Sequence, residues 1–290
     1  MHLTILKYDY HIYKSTLFGK PKPFAIFKFK TQLGSVHAEL SCYDPLSTRS
    51  FNENLFQVLT LLERTTSFEE LLSRNDLYPS VFFLLQMAYD GFKEQRTPTP
   101  PTSTAILFMA PQIEEIEHAY HQGSRVFKLK LKHLTVERTL LFLRDLTQKC
   151  KEIQLRLDFN LALNKESLSR LLKEVPLDHI DYIEEPSAEL DGLLKAIQLY
   201  PNKIAIDESF RCSQELFYNQ NAVFIIKPLV TPRFHTLIGN LKKNHKRVIL
   251  SSCFESPFAI EYIKKIIHHH KLEDHHGYDT AKYYDYMPAL

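Results

Sequence analysis

The sequence predicts an α/β protein: a closed barrel of alternating strands and helices, preceded by a smaller α+β module. Three observations carry this. Short apolar runs at 105–110 (AILFMA), 126–131 (VFKLKL), 153–158 (IQLRLD), 180–185 (IDYIEE), 203–208 (KIAIDE), 222–227 (AVFIIK) and 247–252 (RVILSS) alternate with amphipathic stretches, the signature of a parallel sheet with right-handed crossovers. Seven such units in about 170 residues crowd an open sheet and suit a closed barrel. The first hundred residues follow another order, strands first and helices after.

Within the N-terminal module, FAIFKFKTQLGSVHAEL (24–40) alternates apolar and polar residues on both sides of Gly34, which predicts two strands and a turn. Residues 51–64, 67–75 and 79–92 have helical spacing, and Ser67 followed by Glu70 suggests a capping box. RTPTPPTST (96–104) is polar and proline-rich, a plausible domain boundary. In the barrel, helices are expected at 136–150, 165–175, 188–200, 213–220, 231–244 and 257–270.

Composition narrows the function. The 36 basic and 34 acidic residues nearly balance, so the total charge implies no attraction to nucleic acid or membrane. The four cysteines, Cys42, Cys150, Cys212 and Cys253, form no CxxC pair, so neither a zinc site nor a disulfide framework is signalled. The N-terminal MHLTILKYDYHIYK is broken by charges and reads as neither signal peptide nor membrane span. The expectation is a soluble, reduced, cytoplasmic protein. No GxGxxG or GxxxxGK[ST] occurs among its few glycines, which disfavours nucleotide binding through a glycine loop.

In a barrel of this kind the chemistry sits at the C-terminal ends of the strands. There the second run carries Lys128 and Lys130, the third ends in Asp158, the fourth in Glu184 and Glu185, the fifth in Asp207 and Glu208, the sixth in Lys227 and the seventh in Ser251 and Ser252. Singly, each has an ordinary explanation: a wet strand face for KLK, a turn or helix cap for an acid. Jointly they run lysine, acid, acid, acid, lysine, serine around the rim. Three carboxylates converging on one point need a cation to stay ionised. Hard oxygen donors favour Mg²⁺. Two lysines flanking such an ion suggest proton abstraction α to a bound carboxylate, with the ion stabilising the resulting enediolate.

The run FKLKLK … LRLDFN … YIEEP … IAIDES … IIKP … LSSCFES … GYDT resembles the enolase superfamily, and within it the o-succinylbenzoate synthase family of menaquinone biosynthesis. The resemblance implies a modified TIM barrel, (β/α)7β, over 99–278, a capping domain over 1–98 and a tail, 279–290, returning to the cap. It implies Lys130 as the base that removes the α-proton and helps hydroxide leave, with Lys227 on the other face. Asp158, Glu184 and Asp207 would hold Mg²⁺, with Mn²⁺ as a substitute. Lys128, Arg156, Asn160, Ser251, Cys253 and Gly277 would surround a small dicarboxylate substrate. The implied reaction is dehydration of 2-succinyl-6-hydroxy-2,4-cyclohexadiene-1-carboxylate to o-succinylbenzoate. The segment 16–22, with Gly19, would cover the substrate.

Two departures stand out: Lys132 replaces the glycine expected after KxK, and Cys253 replaces a frequent serine. A racemase of N-succinylamino acids, or a dipeptide epimerase, would share the ion ligands and both lysines. The epimerase would carry a DxD after the seventh strand, where this chain has LSSCFES. A non-catalytic scaffold would have lost a ligand or a lysine. HHHKLEDHHG (268–277) looks like a metal tract but reads as solvated histidines at a helix C-terminus. Oligomeric state is not encoded in any of these signals.

Overall fold

The computed structural model describes residues 3–43, 46–64, 67–93, 101–213, 218 and 220–288. The chain opens with β1 (Lys7–Tyr13), the short hairpin β2 (Thr16–Leu17) and β3 (Lys20–Pro21), then β4 (Phe24–Thr31) and β5 (Gly34–Ser41). β1, β4 and β5 form an antiparallel sheet in that order. β4 shows why: Phe27, Phe29 and Thr31 point inward while Lys28 and Lys30 face water, the alternation of a half-buried strand. β1, KYDYHIY, is almost wholly exposed; Tyr8, Tyr10 and Ile12 alternate with Lys7, Asp9 and His11, a strand pattern not anticipated as one.

Three helices cover this sheet: α1 (Phe51–Arg64), α2 (Phe68–Ser73) and α3 (Pro79–Lys93). Ser67 caps α2 by accepting the Glu70 N–H at 3.3 Å. α3 is apolar on most of its circumference, burying Val81, Phe83, Leu84 and Ala88, because it lies between the antiparallel sheet and the barrel. Glu39 on β5 accepts the Ser256 N–H at 3.3 Å and its hydroxyl, a buried polar link between cap and barrel. The expected boundary at 96–104 lies partly outside the described residues.

The barrel follows: β6 (Ile106–Phe108), α4 (Ile113–His121), β7 (Val126–Lys130), α5 (Val136–Lys149), β8 (Gln154–Asp158), α6 (Lys165–Glu174), β9 (Ile180–Glu184), α7 (Leu190–Leu199), β10 (Ile204–Ile206), α8 (Glu208–Cys212), β11 (Val223–Ile226), α9 (Phe234–Lys243), β12 (Arg247–Leu250) and α10 (Pro257–His269). The seven strands run parallel in sequence order from β6 to β12, at the positions of the seven apolar runs. α4 was not anticipated. Most of the helix expected at 213–220 lies outside the described residues.

Closure comes from an eighth extended segment. His276 bridges in parallel to Thr104 beside β6, and Gly277 bridges in parallel to Ser251 beside β12. Four backbone hydrogen bonds of 2.8–2.9 Å link this segment to both edges: His276 N to Ser103 O, Ala105 N to His276 O, Gly277 N to Leu250 O and Ser252 N to Gly277 O. The chain then forms β13 (Tyr284–Tyr286), which pairs antiparallel with β2 of the cap. Inside the barrel, Tyr182, Ala205, Val223, Ile225 and Ile249 make a small apolar plug; Phe127, Leu129, Leu155 and Leu157 belong to the larger core.

Candidate active site

Register places the charged residues in layers. Lys130 on β7, Asp158 on β8 and Glu184 on β9 are direct partners, one row at the C-terminal end of the barrel. Lys128, Arg156 and Tyr182 are partners one layer lower. Glu184 is level with Ala205 on β10, so Asp207 stands just above that row, and Lys227 follows the last residue of β11. All but Lys130 are withdrawn from water: Lys128 and Lys227 are 7% exposed, Asp158 0%, Glu184 1% and Asp207 1%, while Lys130 is half-buried.

Buried charges must be paired, and here they are. The Lys128 ammonium lies 2.6 Å from Glu184 Oε2 and 3.0 Å from Asp158 Oδ2. Lys130 donates to Asp158 Oδ2 at 2.5 Å and to Asn160 Oδ1 at 3.0 Å. Lys227 is bonded to Asp207 and lies 3.8 Å from Glu208. Burial alone would lower the pKa of Lys128, but the charges of Asp158 and Glu184 outweigh it and hold the group protonated. Lys227 is held well above the ordinary lysine value in the same way, by Asp207 and Glu208. The Asp158 carboxyl, despite burial, is held well below the usual range by Lys128 and Lys130. Glu184 goes the other way: burial, then the Asp158 charge, push it up to about 7.

Above this layer lies a cavity of about 410 Å³ whose walls include Lys128, Lys130, Lys132, Asn160, Glu208, Lys227, Ser251, Cys253 and Gly277; Asp158, Glu184 and Asp207 do not line it themselves but are bonded to the lysines that do. Asn160 sits with a left-handed backbone (φ 44°) that turns its amide oxygen onto Lys130. A Cβ on Gly277 would stand 2.9 Å from Ser251 Oγ and 3.3 Å from its Cβ, so a larger residue there would force Ser251 to move. Cys253 is buried; desolvation, and next the Glu255 carboxylate, push its thiol up, which keeps it a neutral wall rather than a nucleophile. Lys132, standing where a glycine was expected, lines the cavity and is exposed. Phe18, at the tip of the β2–β3 hairpin, packs edge-on against Phe254 of the cavity wall at 5.4 Å, and Gly19 beside it has φ 70° and donates to Asp285 at 2.7 Å.

Arg156 is a correction. Expected at the substrate, it is absent from the cavity wall and points to the opposite end of the barrel. Its guanidinium donates to Asp181 at 2.8 Å, Asp274 at 3.1 Å and the His275 carbonyl at 2.7 Å, and lies over the Tyr182 ring at 4.8 Å. One residue was missed and the role of another, Glu185, was not anticipated. His133 lines the cavity just past the KLKLK run. Glu185 accepts the N–H groups of Asp207 at 2.6 Å and Ser209 at 3.1 Å and the Ser209 hydroxyl at 2.8 Å, fixing the turn that presents Asp207. Its place in an EEP sequence was the available signal.

The donors suit a hard divalent cation. Three buried carboxylates crowd one rim, and Asp207 Oδ1 is buried without a hydrogen-bond partner, an orphan that a cation would satisfy. The oxygens do not meet at one point, however. Among the described residues, the one trio of His, Cys or carboxylate groups whose ligand atoms lie within 4.8 Å of one another is His235, His269 and His270. The lysines draw the acids apart, Asp158 and Glu184 towards β7 and Asp207 towards β11.

Comparison with known proteins fits this geometry. Residues 112–231 match the family model described as enolase C-terminal domain-like. The chain has the enolase-superfamily fold. An o-succinylbenzoate synthase from Thermosynechococcus elongatus BP-1, complexed with Mg in its active site, superposes with a TM-score of 0.84 at 18% identity, covering 98% of this chain and 96% of that one. A dipeptide epimerase from Enterococcus faecalis V583 gives 0.83 at 14% identity over 98% and 92%. An N-succinyl Arg/Lys racemase from Bacillus cereus ATCC 14579 gives 0.79 at 16% identity over 98% and 89%. At these identities the likeness is one of fold. No curated relative matches the chain. No described helix is long and apolar enough to cross a membrane.

Proposed function

We propose that the protein is a Mg²⁺-dependent lyase of the o-succinylbenzoate synthase type, with Asp158, Glu184 and Asp207 as the ion's ligands. The observation that carries the reading is the set of lysines lining one cavity, Lys128 and Lys130 on one side and Lys227 on the other, each bonded to a member of the buried carboxylate row behind it. Lys132 adds a further cation to the wall, so the cavity suits a small dianionic substrate. The ion, when bound, would supply Lewis-acid stabilisation to a substrate carboxylate. Lys130, in its neutral amine form, would take the proton α to a carboxylate held at that ion and become the ammonium. Lys227 balances the charge that develops on the far side. The same Lys130 ammonium then returns its proton to the departing hydroxyl, so that C–H and C–O bonds are exchanged for a ring double bond and water. Aromatisation makes this step downhill.

One feature favours a second reading, racemisation of an N-succinylamino acid. Two lysines on opposite faces can remove a proton from one side and return it from the other. A dipeptide substrate is less suited, because the only acid in the LSSCFES segment, Glu255, is fully buried and accepts the Cys253 N–H at 2.6 Å instead of lining the cavity. The test is direct. The chain with Mg²⁺ is given 2-succinyl-6-hydroxy-2,4-cyclohexadiene-1-carboxylate and o-succinylbenzoate is followed; an N-succinylamino acid is incubated separately in D₂O. Aromatic product supports the lyase. Exchange at the α-carbon with no aromatic product replaces it with the racemase, and neither signal overturns both.

A further inference from the structure

The helix-end histidines expected to be solvated surface are partly gathered instead. His235 on α9 faces His269 and His270 at the end of α10, with ring centroids 5.5 Å and 5.1 Å from His235 and 5.0 Å between the two neighbours. His235 Nδ1 and His270 Nε2 are 2.8 Å apart, and one nitrogen from each of the three residues lies within 4.8 Å of the others. This cluster is separate from the carboxylate rim: it sits on the outer helices, where the cap helix α3 meets the barrel.

We propose that His235, His269 and His270 form a second, transition-metal site, taking Zn²⁺ or a similar borderline cation with solvent as the fourth ligand. Imidazole nitrogens without carboxylate or thiolate donors select such ions over Mg²⁺, and three protein ligands with an open position are an established zinc arrangement. Asp90 on α3 supplies the orienting partner. Its Oδ2 lies 2.9 Å from His235 Nε2, so that nitrogen carries the proton and Nδ1 turns its lone pair towards His270. A carboxylate behind a ligating histidine is the usual outer contact of metal sites. Asp90 is itself held by the Tyr262 hydroxyl at 2.5 Å and by Gln86 at 2.8 Å. With Zn–N bonds of about 2.0–2.1 Å, a tetrahedral site needs the two facing nitrogens to part by only about half an ångström. Lys242, which bonds the His270 carbonyl, opposes the cation, and the Asp90 charge offsets it.

The experiment titrates the untagged full-length chain, freed of metal, with Co²⁺. A tetrahedral nitrogen site gives an intense visible absorption band, whereas an octahedral carboxylate site stays pale. The expected result is an intense band that saturates at one equivalent and is bleached by Zn²⁺. His269→Gln, at an exposed position, and His270→Gln should each weaken binding at least tenfold, and Asp90→Asn by about 10- to 100-fold. Zn²⁺ should also raise the melting temperature of the wild type but not of His269→Gln. An intense band that survives both histidine substitutions, or no intense band in the wild type, overturns the site.

Discussion

The two ends of the barrel hold charge in different ways. At the C-terminal end, three lysines that line an open cavity meet three carboxylates, and two carboxylate oxygens there, Asp207 Oδ1 and Glu208 Oε2, are buried without a hydrogen bond. At the N-terminal end, Arg156 and Arg247 meet Asp181 and Asp274. Arg247 reaches both acids at 2.6–3.2 Å, and Tyr182 stacks beneath both guanidiniums, at 4.8 and 5.8 Å. The arginine network is planar, multiply bonded and permanently charged; it can hold a shape but cannot exchange a proton. Lysine is a single rotatable point charge whose partner can be replaced by an ion or a substrate. Polar satisfaction separates structure from chemistry here: the arginine network is fully bonded although Arg247 and Asp274 remain partly exposed.

Four measurements would break or sharpen this contrast. Lys130→Ala should lower turnover in whichever reaction proves native by about 10²- to 10⁴-fold, the usual contribution of a positioned acid–base group, with little change in melting temperature. Near-wild-type turnover would remove Lys130 from the chemistry. Arg156→Met should do the opposite, destabilising the fold by about 3 kcal/mol in a denaturation experiment while catalysis by the folded fraction persists. The low end of the range for a broken buried pair applies, because Arg247 still contacts both acids. A selective rise in KM with unchanged stability would instead put Arg156 at the substrate.

The third measurement is pH dependence. Glu184, Glu185 and Glu255 are each pushed up to about 7, chiefly by burial. A carboxyl whose folded pKa exceeds its unfolded one contributes stability at low pH and loses it as pH rises through the folded value. His270 and His276, pushed down to about 4 from 6.5, act oppositely at lower pH, so the clear window opens above 6.5. In EDTA the melting temperature should fall from there towards pH 8, less steeply in Glu184→Gln, and Mg²⁺ should reduce the fall. A flat profile in EDTA would contradict the crowding of carboxylates at this end. The smallest effect is expected of Lys132→Ala: a few-fold rise in KM for a dianion at low salt, with kcat unchanged. An exposed charge contributes about 1 kcal/mol or less, and the difference should vanish at high salt.

The strand–helix order was legible because each parallel strand is a short apolar run and each crossover helix an amphipathic one. The rim charges were legible because they fall at the ends of those runs. Depth was not. Lys128 and Arg156 are register partners on the inward face, yet the lysine reaches up to Glu184 and the arginine down to Asp274. Alternation along a strand gives the face and says nothing about which way a long side chain leans. β1 alternates, Tyr8, Tyr10 and Ile12 against Lys7, Asp9 and His11, but its aromatic and charged residues lack the aliphatic run that marked the other strands. The pairing of β2 with β13 links residues more than 260 apart, beyond any local pattern. The histidine cluster failed for the same reason: His235 lies well upstream of the tract it joins, and within that tract His276 goes elsewhere, fully buried and accepting the Leu250 N–H at 3.0 Å.

The closing segment around His276 and Gly277 has a consequence for synthesis. A nascent chain that has emerged only as far as Leu250 presents β6 and β12 as two raw sheet edges, each a template for pairing with another chain. Ring completion and the fastening of the first hairpin by β13 both wait for the same late stretch of polypeptide. Until it leaves the ribosome, both edges stay open to pairing with a neighbouring chain.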